Sequence, residues 1–224
     1  FRHLCTKCRL ATFGPILRHH WAFSKWLLLA ELIIAGQEQV LWLGGGVLLG
    51  DEAVAVLRAA VFLMGGVNLV LHAVDNFVPR QAAVAHRHGG VLGLQSYLLR
   101  QTVLFSLVLG AGLLLVAGPA NFWLGLVFGT AFAGTGDLVR LISFAYFLYL
   151  PIAMASVFLR TLDRTTPILW CHGAGFATVV MLGYPLLVMA GATGAAITLC
   201  LAQAVTLVAF LAACRVSQAE PLRP

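Results

Sequence analysis

The chain holds six long apolar runs, several near or beyond 20 residues, and these constrain its fold more than any motif does. They lie at about 21–43, 53–78, 97–116, 138–158, 167–189 and 195–213. A helix needs about 20 apolar residues to cross roughly 30 Å of hydrocarbon. Only 10% of the residues are charged and mean hydropathy is +0.95, whereas a soluble domain is about a quarter charged. A soluble core of 224 residues cannot bury this much apolar surface, so lipid must solvate much of it. The runs are continuous and lack the period-2 alternation of a membrane barrel. The fold class expected is therefore all-α, a polytopic integral membrane bundle of six transmembrane helices.

Basic residues orient that bundle, because cytoplasmic loops collect Lys and Arg. Arg2, Lys7, Arg9, Arg18 and Lys25 precede or open the first run. Arg80, Arg87 and Arg100 fall around the connection between the second and third. Arg160 and Arg164 lie between the fourth and fifth, and Arg215 and Arg223 follow the sixth. The remaining connections, 44–52, 118–137 and 190–194, contain no Lys or Arg, and only Arg58 and Arg140 lie toward that side. This alternation predicts an even number of crossings with both ends cytoplasmic. It divides the chain into a basic cytoplasmic lead-in over 1–20, a transmembrane lobe over 21–215 and a short tail over 216–224. The lead-in lacks the apolar core of a signal peptide. The first residue is Phe1 rather than Met, which suggests a piece of a longer chain. Residues 118–137, with Phe122, Trp123 and Phe128, read as an outer interfacial segment rather than a seventh crossing.

The net charge of +6 and pI near 9.4 would suggest nucleic acid in a soluble protein, but here the charge sits between membrane runs. No nucleic-acid partner is expected. No Gly-rich phosphate loop with a Lys is present, so the chain carries no ATP-driven motor of its own. Cys171, Cys200 and Cys214 lie in apolar runs and read as small hydrophobes. Cys5 and Cys8 form a CTKC pair with His3, His19 and His20 nearby. A lone CxxC without a second ligand pair reads as two thiols on the reducing side, and no metal or cofactor is expected. The outer connections offer only Asp51, Glu52 and Asp137 and no nucleophile–base pair, which argues against an enzyme.

Polar and ionisable groups at membrane depth are costly and mark function. Nearly all fall in the first two runs: Glu31, Gln37, Glu38 and Gln39, then Arg58, Asn68, His72, Asp75 and Asn76. Glu38 and Arg58 each stand about five residues from the outer end of antiparallel helices, so an ion pair between them is expected. Its meaning is either structural or a wet cavity in which Arg58 draws an anionic headgroup and Glu31 or Glu38 binds a coupling cation or proton. Glu31 falls toward the level of His72. Asn68, His72, Asp75 and Asn76 form one stripe that must face protein or water. Asp75 and Asn76 are expected to cap a loop starting at Pro79. Arg80 and Arg87, with His86 and His88, either set topology or meet a headgroup.

Several stretches carry a resemblance. HWAFSKWLLLA (20–30), NLVLHAVDNFVPRQAAVAHRHGG (68–90), SVFLRTLDRTTPILW (156–170) and YPLLVMAGATGAAITLCLAQAV (184–205) follow in the order and spacing of the C-terminal half of an O-antigen and polysaccharide flippase. The chain thus resembles that family of the multidrug/oligosaccharidyl-lipid/polysaccharide exporter superfamily. The resemblance implies one lobe of a two-lobed transporter of at least twelve helices in the bacterial inner membrane. It further implies alternating access and translocation of undecaprenyl-pyrophosphate-linked oligosaccharide for surface polysaccharide or O-antigen synthesis. The implied partners are membrane lipid, the missing N-terminal lobe, a polysaccharide polymerase and glycosyltransferases. A cation-coupled small-molecule or drug exporter of the same superfamily is the alternative, with a membrane-embedded polymerase or ligase behind it.

Overall fold

Residues 10–219 are described by the structure, a computed structural model. Among them the chain is helical, with no strand. It runs through α1 (Leu10–Leu49), α2 (Asp51–Leu63), α3 (Gly65–Ala117), α4 (Ala120–Phe128), a 3₁₀ turn (Thr130–Phe132), α5 (Gly136–Thr161) and α6 (Thr166–Ala219). Four of these helices are long and apolar enough to cross a membrane: α1, α3, α5 and α6. Their outer faces expose large apolar side chains, including Leu32, Leu69, Leu107, Leu114, Met181 and Val208. A surface of that kind is stable against lipid and unfavourable against water.

The 53 and 54 residues of α3 and α6 would each extend about 80 Å if straight. Both instead fold back at a glycine. Gly90 (φ 60°, ψ −151°) and Gly191 (φ 59°, ψ −138°) leave helical geometry inside them, in a region that L side chains rarely adopt. Across α6, the rings of His172 and Phe210 stand 5.1 Å apart, and Gly175 abuts Thr206 and Ala202. These pairs lie symmetrically about residue 191, so the two arms are antiparallel. Both ends of α3 likewise reach one end of α5: Ser143 Oγ lies 3.6 Å from Met64 Sδ, and Arg140 Nε donates to the Ala117 carbonyl at 3.3 Å.

Directions follow from paired contacts. Cys200 Sγ meets the Leu141 carbonyl at 3.2 Å and Cys214 Sγ the Ala155 carbonyl at 3.9 Å, with the same 59-residue separation. The second arm of α6 is therefore parallel to α5. Gly36 packs under Phe176 and Gly44 under Leu187, so α1 is parallel to the first arm of α6. The start of α1, the Gly90 bend, the α5–α6 connection and the end of α6 consequently share one end of the bundle. Arg18, Arg80, Arg87, Arg160, Arg164 and Arg215 gather toward this basic end. Gly50, residues 118–135 and Gly191 occupy the far end. α5 is the central helix: 56% of its most apolar stretch is buried, against 17%, 11% and 22% in α1, α3 and α6.

Two boundaries differ from those expected. The run 53–78 is broken at Met64 (φ −78°, ψ −2°), and no loop begins at Pro79. The helix continues through Pro79 to the Gly90 bend. Ala82, Ala83 and Ala85 favour helix strongly and offset the one backbone hydrogen bond that Pro79 removes. The connection at 118–137 holds α4, whose nine residues rise only about 13 Å, too short to cross. Arg140 pairs with Asp137 at 2.5 Å as well as with Ala117, and Asn121 Oδ1 accepts from Gly136 N at 2.9 Å, pinning this connection to α5.

Gly175 marks a tight helix crossing. A Cβ there would lie 2.8 Å from Gln37 Nε2 and 3.2 Å from the Ala202 carbonyl, and would collide with Thr206. Gly175→Leu is expected to push α1 and both arms of α6 apart and to lower the thermal midpoint by about 4–10 °C. Heating followed by size-exclusion chromatography in detergent checks this.

Candidate functional site: a polar cleft between α1 and α3

α1 and α3 stand on opposite sides of a cleft floored by α5 and α6. α1 packs along α6 and α3 along α5, and the space between the two walls is a cavity of about 190 Å³. α1 contributes Gln37 and Glu38, α3 contributes Asn68, His72 and Asp75, α5 contributes Tyr146 and Tyr149, and α6 contributes Gln203. The spacing explains each wall. Asn68, His72 and Asp75 recur every three to four residues and so share one face, and Tyr146 and Tyr149 do the same one turn apart on α5. Gln37 is buried and its Nε2 donates to the His172 carbonyl at 3.4 Å, locking α1 to α6 beside the cavity.

Two smaller spaces adjoin the cavity. Toward the far end, Glu38, Trp42, Leu57 and Tyr146 line about 50 Å³. Toward the basic end, Glu31, Asp75, Tyr149, Ser156, Arg160 and His172 line about 20 Å³. There Arg160 Nη2 stands 3.7 Å from Glu31 Oε1. Arg160 occupies the last turn of α5, where a cation also faces the negative end of the helix dipole.

The expected Glu38–Arg58 pair is not formed. Leu57, Ala59 and Ala60 are the buried face of α2, which turns Arg58 outward. Its guanidinium lies over the Trp42 ring, 5.9 Å from the centroid, a cation–π contact. Glu38 lines the cavity without it. Glu31 joins Arg160 rather than the His72 level. Asn76 does not join the stripe at the cavity, and it caps no loop: its Nδ2 donates to the His72 carbonyl at 2.8 Å on the exposed side of α3. Arg80 and Arg87 are exposed on the helix that replaces the expected loop. Cys5, Cys8 and His3 lie outside the described residues. Among the described residues no group of three or more His, Cys, Asp or Glu could hold a metal ion.

Residue reading missed Tyr146 and Tyr149, and placed Arg160 in a topology-setting loop. The available signal was the Y-x-x-Y spacing in AYFLYLP, which puts two hydroxyls on one face of an apolar helix. Chemically the cavity offers carboxylates, amides, an imidazole and phenol groups, and no Lys or Arg lines it. It can hydrogen-bond a hydroxyl-rich or cationic ligand, and the Arg160 guanidinium lines the adjoining recess. No protein-family model, curated protein or solved structure matches this chain.

Proposed function

We propose that this chain is one lobe, with six membrane crossings, of a two-lobed transporter in the bacterial inner membrane. Its cargo is a lipid-linked oligosaccharide, undecaprenyl-pyrophosphate-linked, moved from the cytoplasmic to the outer leaflet by alternating access. The observation that carries the reading is a polar cleft, lined from four helices, inside a bundle whose outer face is apolar. The two folded-back helices support six crossings: α1, α2 with the first arm of α3, the second arm of α3, α5 and the two arms of α6. The basic end, facing the cytoplasm by the positive-inside rule, supports cytoplasmic ends. Carboxylates, amides and tyrosines suit sugar hydroxyls and ring faces. Arg160, Arg80 and Arg87 suit a pyrophosphate at the cytoplasmic mouth. The second lobe closes the open side of the cleft, and a polymerase and glycosyltransferases act before and after transport.

A cation-coupled small-molecule exporter is the second reading. It is favoured by the absence of Lys and Arg from the cavity lining. One experiment separates them, in cells whose only copy is altered. Under the first reading Arg160→Gln lowers surface polysaccharide roughly tenfold and lipid-linked precursor accumulates, while Arg58→Gln leaves export unchanged. Under the second, resistance to a cationic compound falls and polysaccharide persists. Intact polysaccharide export with no accumulated precursor in cells lacking the protein refutes the first.

A further inference from the structure

At the basic end of the cleft, α1, α3, α5 and α6 converge on the recess of about 20 Å³. Ser156 in its wall is 6% exposed, and its Oγ has no hydrogen-bond partner. Other helical hydroxyls here donate one turn back: Ser143 to Val139, Thr161 to Val157 and Thr178 to Ala174. Ser156 does not, although an unpaired buried hydroxyl is unfavourable. The groups it shares the recess with have mixed charge: Asp75 and Glu31 against Arg160. A metal cation there would sit beside a guanidinium, and an anion beside two carboxylates. A neutral dipole with both donors and acceptors satisfies all of them, and the volume suits a single water.

We propose that one water molecule occupies this recess, accepting from Ser156 Oγ–H and the Arg160 guanidinium and donating to the Asp75 carboxylate. With the Glu31–Arg160 pair at 3.7 Å, it ties both walls of the cleft to α5 and shuts the cleft at its basic end. The closing role rests on the transport reading above, whereas the water does not.

Thermal unfolding of the full chain in lipid nanodiscs tests the water. Ser156→Ala lowers the midpoint by about 2–4 °C if the water is present, because its removal strips the water of a partner. A dry recess gives an unchanged or higher midpoint, since alanine then removes only an unpaired hydroxyl, and that result overturns the proposal. Equal midpoints in sodium chloride and choline chloride are expected, and a sodium-specific rise replaces the water with a cation. Closure is read separately, without any transport assay. Asn68→Cys, in a background with the native cysteines replaced, is labelled in vesicles by an impermeant thiol reagent supplied to the basic side. Arg160→Gln raises the labelling rate roughly tenfold, and the reversal Glu31→Arg with Arg160→Glu restores slow labelling. Labelling that ignores both changes overturns the closing role.

Discussion

Gly191→Val is expected to destabilise the folded protein strongly. Gly191 holds φ 59° and ψ −138°, a combination open almost only to glycine. A β-branched side chain there strains the backbone by about 1–3 kcal/mol before any packing is lost. The bend also brings His172 to Phe210 and Gly175 to Thr206, so a straightened or displaced α6 forfeits the contacts between its arms. Against a total stability of about 5–15 kcal/mol the combined loss is large, and the thermal midpoint is expected to fall by about 5–12 °C. Gly173→Ala is the control. It lies in the same helix with a helical φ and nothing within 4 Å of a new Cβ, so it is expected to stabilise by about 0.5–1 kcal/mol. Monodisperse Gly191→Val protein with a parental midpoint would refute the claim that this glycine sets the fold.

The second large effect concerns the two carboxylates that line the main cavity. If the proposed transport function holds, Asp75→Asn and Glu38→Gln each lower translocation by roughly 10–100-fold, as expected where a hydrogen bond to a charged group contributes about 1.5–3 kcal/mol. Folding should persist. Asparagine keeps an acceptor oxygen at position 75, and Glu31 still holds Arg160. The measurement is lipid-linked precursor accumulation in cells carrying each variant, beside its thermal midpoint in detergent. Normal translocation in both variants would remove the cleft from the transport path. A drop in translocation that tracks a drop in folded protein would assign the carboxylates to structure.

The apolar helices were legible because period and length report directly on what a segment must bury. The reversal of α6 was legible as the short connection at 190–194, whereas the Gly90 bend of α3 lies inside what read as a loop from Pro79. The helix past Pro79 was not, because a proline and two arginines read as a loop while three alanines behind them favour helix. The site was half legible. Asn68, His72 and Asp75 share a face by spacing alone and line one cavity. That Glu38 and Arg58 stay apart was not readable, because depth arithmetic sets the level of Arg58 and leaves its azimuth open. The buried stripe of Leu57, Ala59 and Ala60 decides that azimuth, and turns Arg58 to Trp42. Arg160 was hidden for the complementary reason. Basic residues after a membrane helix set topology so often that one reaching back into the bundle looks like the rest.

From Thr166 to Cys214 the chain contains no Asp, Glu, Lys or Arg, and the bend of α6 lies midway along it. During synthesis this segment can enter the bilayer as a closed pair of arms, with only small residues at the leading tip and no charge to drag through hydrocarbon. With Arg164 and Arg215 at its two feet, the proposed orientation would keep both feet on the side from which the segment came.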